Sequence, residues 1–262
     1  MSQMNYDIWE QCKGCQKPIY APDFEKSLKV CPYCGHHHRL SAQERIQQLT
    51  DTFDAFEMAP VRNDPLEFFD TRSYKDRLEK ASSHSQEAMI SGYASLGGFR
   101  CVLSCFDFGF IGGSMGIAVG ENFLNACLKA IEAKLPLVLV CASGGARMQE
   151  GLFSLMQMAK VSAAVAELHQ NHIPFVAILT DPTTGGVSAS LATLADLIWA
   201  EPDALIGFTG PRVIEQTVRQ KLPSGFQRAE FLYEHGLIDQ VVHRSKLPEK
   251  LQCFLELAHA VV

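Results

Sequence analysis

Two cysteine pairs near the amino terminus, Cys12-x2-Cys15 and Cys31-x2-Cys34 with fifteen residues between them, constrain this chain more than any other feature. Two such knuckles can converge on one tetrahedral cation, so residues 8–40 read as a zinc ribbon with Cys12, Cys15, Cys31 and Cys34 as ligands. Four thiolates close the coordination sphere and leave no place for an activated water, so one zinc is expected in a structural role. The chemistry must then lie further along. His36, His37 and His38 follow the last ligand. Since the thiolates suffice, these histidines are expected to be solvated or to help bind something acidic.

The other five cysteines are scattered through apolar segments, leaving an odd total of nine, which suits a reducing, cytoplasmic setting better than an oxidising one. A hydrophobic share of 47% allows a sizeable core, and the net charge of −6 excludes a chain that is basic throughout. Any anionic ligand must therefore meet local cations or backbone N–H groups. Asp7, Glu10, Lys13 and Lys17 interrupt the opening residues, so no export signal is expected. Runs such as 135–142 are too short to span a bilayer, and no membrane partner is expected.

Ser41-Ala42-Gln43-Glu44 has the form of a capping box, and Ile46, Leu49, Phe53 and Phe56 would line one face of the helix it opens. Residues 41–86 thus read as a helical neck and a polar connector, with a short helix near 74–80. From residue 87 to 262 strands and helices alternate. Strands are expected at 89–96, 99–108, 137–142, 174–180 and 197–200, with helices at 121–134, 146–170 and 187–195 and a further helix opening at Pro211. On the 146–170 helix, Met148, Leu152, Leu155, Ala159, Ala163 and Ala166 form the stripe expected to be buried. Repeated strand-then-helix units imply an α/β core with crossover connections.

Two glycine pairs, Gly144-Gly145 and Gly185-Gly186, follow predicted strands and precede predicted helices. Unpaired N–H groups at a helix start attract a developing oxyanion or a phosphate, and glycine lets a ligand come close. Arg147 and Arg212 sit in expected first helical turns, where the dipole disfavours a cation unless an anion offsets it. That anion is either a ligand or a carboxylate such as Glu150 or Glu215. Gly112-Gly113-Ser114-Met115-Gly116 matches the G-x-S-x-G nucleophile pattern. A serine hydrolase using Ser114 would need a histidine among His169, His172, His235 and His243 and an acid among Asp181, Asp196 and Asp239. Lys13, Lys17, Lys26, Lys29 and Arg39 give the ribbon a local basic excess compatible with nucleic-acid contact.

Taken together, residues 110–116, 142–150, 155–160, 179–190 and 206–217, with the cysteine ribbon ahead of them, resemble the β-subunit family of bacterial-type acetyl-CoA carboxylase carboxyltransferase. The resemblance implies a crotonase-like spiral of ββα units in residues 87–262 behind the four-cysteine zinc ribbon. It also implies transfer of a carboxyl group from carboxybiotin, borne by the biotin carboxyl carrier protein, to acetyl-CoA, giving malonyl-CoA. Biotin carboxylase would charge the carrier, and an α subunit would complete an α2β2 heterotetramer. By the same resemblance Gly185 and Gly186 are oxyanion donors and Gly144 and Gly145 shape the acetyl-CoA pocket, while Arg147, Gly112, Gly113, Ser114 and Arg212 are the candidate substrate contacts.

Overall fold

The computed structural model describes residues 8–58, 64–83 and 85–260. The ribbon is built from β1 (Trp9–Gln11) and β2 (Pro18–Tyr20), paired antiparallel, and the short helix α1 (Ala21–Lys26). Its apolar interior amounts to Ile19, Phe24 and the cysteines themselves.

The body is one mixed sheet. After helix α2 (Ala42–Leu49) come β3 (Thr52–Ala55), helix α3 (Tyr74–Ser82), β4 (Met89–Leu96) and β5 (Phe99–Phe106). Helix α4 (Ile117–Ala133) then leads to β6 (Leu137–Ser143), and α5 (Leu152–Gln170) to β7 (Phe175–Thr184). A short turn of helix, α6 (Gly185–Val187), continues into a π-helical stretch, Ser188–Ala192. Then follow β8 (Leu197–Ala200), β9 (Ile206–Gly207), α7 (Pro211–Val218), α8 (Ala229–Glu234), β10 (Gln240–Val241) and α9 (Leu247–His259). The strand order is β10-β8-β7-β6-β5-β4-β3, with β9 beside the end of β7. Pairings from β5 through β6, β7 and β8 to β10 are parallel, whereas β3, β4 and β5 form an antiparallel meander.

The central strands are buried on both faces, which is why they read as nearly unbroken apolar runs. Alternation still sorts their side chains. Leu137, Leu139 and Cys141 of β6 and Phe175, Ala177 and Leu179 of β7 face α4 and α5. Val138, Val140, Val176 and Ile178 face α2 and α9 on the other side. Cys101, Cys105, Cys127 and Cys141 are interior side chains. Burial pushes the thiols of Cys101 and Cys105 up to about 12, so they pack as small hydrophobes rather than nucleophiles.

The capping box forms as its residues dictate, with Ser41 Oγ accepting from the Glu44 N–H. The helix is shorter than the apolar spacing suggests. It ends at Leu49, and Phe53 lies on β3, which pairs with β4. β-Branched Thr52 and aromatic Phe53 gain more as an edge strand than as further helical turns. No helix among the described residues is long and apolar enough to cross a membrane.

A buried ion cluster locks the ribbon to the body. Arg244 grips both oxygens of Glu201 at 2.8 and 2.7 Å, and Arg45 of α2 adds a third contact at 2.7 Å. Arg244 also donates to the ribbon carbonyl of Leu28 at 2.6 Å. Burial alone would raise Glu201, but the two guanidinium groups outweigh it and hold the carboxyl down at about 2.

Candidate active site

The four cysteine sulfurs all lie within 4.8 Å of one another. Cys12 and Cys34 are separated by 3.7 Å, and Cys15 and Cys31 by 3.8 Å. Sulfurs bound tetrahedrally to zinc at roughly 2.3 Å stand about 3.8 Å apart, so the cage fits the ion its spacing implies. The histidines depart from expectation. His37 and His38 are buried, and only His36 retains partial exposure. His38 sits edge-on to Phe24 with Nε2 3.4 Å from Cys12 Sγ, orienting a ligand as partners of metal sites do. His37 packs on His243 and accepts from the Arg244 N–H. Burial, with Arg244 and His243 nearby, pushes its imidazole down to about 4 despite the opposing charge of Glu201. The solvated role drawn from sequence fails because the ribbon docks on this face.

The two glycine pairs lie at the carboxyl ends of adjacent parallel strands, β6 and β7, and they touch each other. A Cβ built on Gly185 would stand 2.9 Å from Gly145 Cα, and one on Gly145 3.1 Å from Gly185 Cα. Both residues have positive φ, +115° at Gly145 and +63° at Gly185, so the contact requires glycine twice, for clearance and for backbone conformation. Thr184 Oγ1 donates to the Ser143 carbonyl at 3.2 Å, and Thr180 Oγ1 to the Cys141 carbonyl at 2.7 Å, holding the β7 end against β6. Arg39, leaving the ribbon, donates from Nε to the Asp181 carbonyl at 3.2 Å and stacks on Phe108. Sequence reasoning missed these supporting residues, because their partners lie far away along the chain.

The amides of the glycine pairs are not equivalent. Gly144 N–H donates to the Gly112 carbonyl at 2.9 Å, Gly145 N–H to Ser143 Oγ at 3.0 Å, and Gly185 N–H to the Phe208 carbonyl at 3.0 Å. Gly186 N–H has no hydrogen-bond acceptor among the described residues. Expectation and structure also differ at Gly144-Gly145. This pair does not open a helix, since residues 146 and 147 are extended and α5 begins only at Leu152. Gly113 accepts from Ser143 Oγ at 2.5 Å and its own N–H donates to the Phe110 carbonyl at 2.9 Å, so the Gly112-Gly113 turn braces the β6 end.

Arg147 finds its anion inside the protein. It is 1% exposed, pairs with Glu87, and reaches Glu150 at 3.3 Å, Tyr74 Oη at 3.1 Å and Ser114 Oγ at 3.1 Å. Burial opposes the charge, but Glu87 and Tyr74 outweigh it and raise the guanidinium above its ordinary value. A group so enclosed braces the loops and is closed to a substrate. Glu150 is the carboxylate that the sequence offered for it, whereas Glu87, just before an apolar strand, was missed. Ser114 accepts from this arginine, which cannot take up a proton, and no histidine bonds it among the described residues. His169 pairs instead with Asp196 at 3.3 Å, and His243 with Ser245 at 2.9 Å. The serine-hydrolase alternative thus has no base. The Arg212 side chain lies outside the described residues.

The outer face of α5 overturns another expectation. Met148, Leu152, Leu155 and Met156 are more than half exposed, while Ser154, Gln157, Val161, Ala164 and Leu168 face inward. The helix is apolar nearly all round, so periodicity did not say which stripe goes in. Met158 joins this face to the site, its Sδ lying 3.1 Å from where a Gly186 Cβ would stand.

Residues 61–247 match the carboxyl transferase domain, and residues 9–34 the acetyl-CoA carboxylase zinc finger domain. The acetyl-coenzyme A carboxylase carboxyl transferase subunit beta of Citrifermentans bemidjiense is 50% identical over 256 residues, covering 96% of this chain and 91% of the relative. That of Pelobacter propionicus is 48% identical over 98% of this chain and 92% of its own length. Among solved structures, the transcarboxylase 12S core superposes with a TM-score of 0.68 at 24% identity, over 90% of this chain and 43% of that one. A Pseudomonas malonate decarboxylase heterodimer gives 0.63 at 22% identity, over 83% and 86%. Both likenesses establish the crotonase-like fold.

Proposed function

This chain belongs to the acetyl-CoA carboxylase carboxyl transferase β-subunit family, and on that footing we propose how its own residues help move a carboxyl group from carboxybiotin to acetyl-CoA. The observation that carries the assignment is the backbone contact between Gly145 and Gly185, which sets an unpaired Gly186 N–H beside the outward apolar face of α5. As the acetyl methyl loses its proton, negative charge grows on the thioester oxygen. A fixed N–H at the opening of a helix stabilises that charge without reorganising. Gly186 is the donor from this chain. Gly144, Gly145 and Gly185 act as spacers whose own amides are spent on holding the loops, and Gly112-Gly113 supports them from behind.

One donor and one half of a cleft are not a complete site. The exposed stripe of Met148, Leu152, Leu155 and Met156 is the docking face for an α subunit, which supplies the remaining donors and the pocket for biotin in an α2β2 assembly. The biotin carboxyl carrier protein, charged by biotin carboxylase, brings carboxybiotin to this junction in the cytoplasm. Zinc holds the ribbon through Cys12, Cys15, Cys31 and Cys34 and takes no part in the transfer. On this reading the chain divides into ribbon (8–40), neck and connector (41–86) and transferase body (87–262), although α2 and β3 of the middle segment pack onto the sheet. Nucleic-acid contact through the ribbon is the weaker reading, since Lys29 is engaged with Glu25 and Glu44, and Arg39 with Asp181.

The test replaces Gly186 in the assembled enzyme. Gly186→Pro deletes the N–H at a first-turn position where proline is tolerated, and kcat should fall by about 10² to 10³. Gly186→Ala keeps the N–H, crowds only flexible Met158 and meets Ala146 Cβ at an ordinary 3.5 Å, so it should retain most of the rate. Equal activity in the two variants, with subunit association intact, removes Gly186 from the reaction.

A further inference from the structure

Arg39, at the exit of the ribbon, touches both loops that lead to the glycine pairs. Its Cζ lies 3.8 Å from the ring centroid of Phe108, and Phe108 Cζ stands 4.0 Å from where a Gly112 Cβ would be. Gly112 in turn accepts from the Gly144 N–H at 2.9 Å. On its other side Arg39 donates from Nε to the Asp181 carbonyl at 3.2 Å and sets Nη2 3.7 Å from Asp181 Oδ2, four residues ahead of Gly185.

This second contact falls where the sheet gives no support of its own. β6 and β7 pair regularly as far as Cys141 and Leu179, and the register then shifts so that Ser143 meets Thr183. Thr180, Asp181 and Pro182 have no partner in either neighbouring ladder, and β7 resumes pairing only with β9, through Thr183 and Thr184. Asp181 spans the gap. Its Oδ1 accepts from the Leu205 N–H at 3.0 Å and lies 3.6 Å from Arg228 Nη1, while the Leu205 carbonyl accepts from the Thr183 N–H at 2.8 Å. A carbonyl outside the ladder must find its donor elsewhere, and here the donor comes from the ribbon. Arg39 and Asp181 are both partly open to solvent, so their pairing adds little to stability. What it fixes is geometry.

We propose that Arg39 is a positioning residue for the carboxyl transfer, a clamp that sets the Gly144-Gly145 loop against the Gly185-Gly186 loop and so aims the Gly186 N–H. The proposal rests on the carboxyl transferase reading and extends it to a side chain of the ribbon. A guanidinium suits the task because its face stacks on Phe108 while its edge donates to Asp181, and an ammonium does not combine the two. Arg39 acts through the loops and not on the substrate, so its loss falls on kcat rather than on KM.

The experiment uses the enzyme assembled with its α subunit and three variants: Arg39→Ala, Arg39→Lys and, at an exposed ribbon cation away from the loops, Lys26→Ala. In Arg39→Ala, kcat for malonyl-CoA formation should fall roughly ten- to a hundredfold, since a misplacement of about 1 Å carries a cost of that order. KM for acetyl-CoA should be little changed. Arg39→Lys should recover only part of the rate, and Lys26→Ala should match the wild type. Zinc content and melting temperature should hold in all three. Amide hydrogen exchange supplies an arm independent of turnover. The N–H groups of Thr183 and Gly185, bonded to the carbonyls of Leu205 and Phe208, should exchange faster in Arg39→Ala, while those within β6 keep their protection. Wild-type kcat in Arg39→Ala overturns the proposal, as does a rise in KM alone, which marks a direct substrate contact. So does an equal loss in Lys26→Ala, which marks the charge of the whole ribbon, or a full recovery in Arg39→Lys. A rate lost together with zinc also overturns it, in favour of a purely structural role. If the wild-type assembly forms no malonyl-CoA, the carboxyl transferase reading fails, and exchange at Thr183 and Gly185 still decides the clamp, which unchanged protection there removes.

Discussion

The ribbon and the body of this chain are stabilised by opposite means. In the body, aromatic and branched side chains such as Phe123, Phe175, Leu103 and Leu139 are wholly buried on the two faces of one sheet, and their removal from water drives folding. The ribbon buries Ile19 and Phe24 and little else beyond its ligands, far too little apolar area to offset the entropy of ordering more than thirty residues. A metal must supply the difference. The comparison teaches that one chain can contain a region whose fold depends on composition and another whose fold depends on an ion, joined by a buried polar cluster that reaches from the body to the ribbon.

Zinc removal gives the largest expected effect. Structural zinc in small fingers binds with roughly 10 to 16 kcal/mol of apparent free energy, so chelation or Cys12→Ser should unfold the ribbon outright. The main calorimetric transition of the body should persist. Loss of both together would mean that the body depends on the ion as well, and the contrast drawn above would fail.

Next in size is the buried arginine of the body. Arg147→Ala leaves Glu87 and Glu150 enclosed without their cation, and urea unfolding should report a loss of about 3–5 kcal/mol. The zinc content of the ribbon should not change. A loss below about 1 kcal/mol would indicate that these carboxylates relax to solvent.

The smallest expected effect lies at the joint. His37 is held neutral, with its folded pKa lowered from 6.5 to about 4. A group with a depressed folded pKa contributes its full stability above the unfolded value and loses that contribution as pH falls, here from about 6.5 toward 4. Melting temperature should therefore decline over this window, and His37→Asn should flatten that decline. Parallel curves for wild type and variant would remove the histidine from the joint. Glu201, held at about 2, adds a further loss only below its ordinary carboxylate range, so the two titrations separate along the pH axis.

Much of this arrangement was legible in the sequence where a local rule acts alone. The cysteine spacing, the Ser41–Glu44 cap and the strands at 89–96 and 197–200 all follow from short-range patterns, and the structure keeps them. The glycine pairs announced a backbone approach, but not that the partner of each would be the other, because contact between residues 145 and 185 is a property of parallel pairing. Two readings fell short for physical reasons. The α5 stripe was turned the wrong way because both faces of that helix are apolar. Arg147 was left between a ligand and a nearby carboxylate such as Glu150, and its other carboxylate partner, Glu87, went unseen because it lies 60 residues earlier. Charge complementarity at that range leaves no periodic trace.

The grip of Arg244 on Leu28 has a bearing on how the molecule is made. The ribbon emerges from the ribosome ahead of the body and contains every ligand needed to capture its ion. The anchor that fastens it down is translated more than two hundred residues later. Between those two moments the amino-terminal module is a tethered bead, loaded but undocked, and its seat is ready only once Glu201 and then the final helix have been threaded into place.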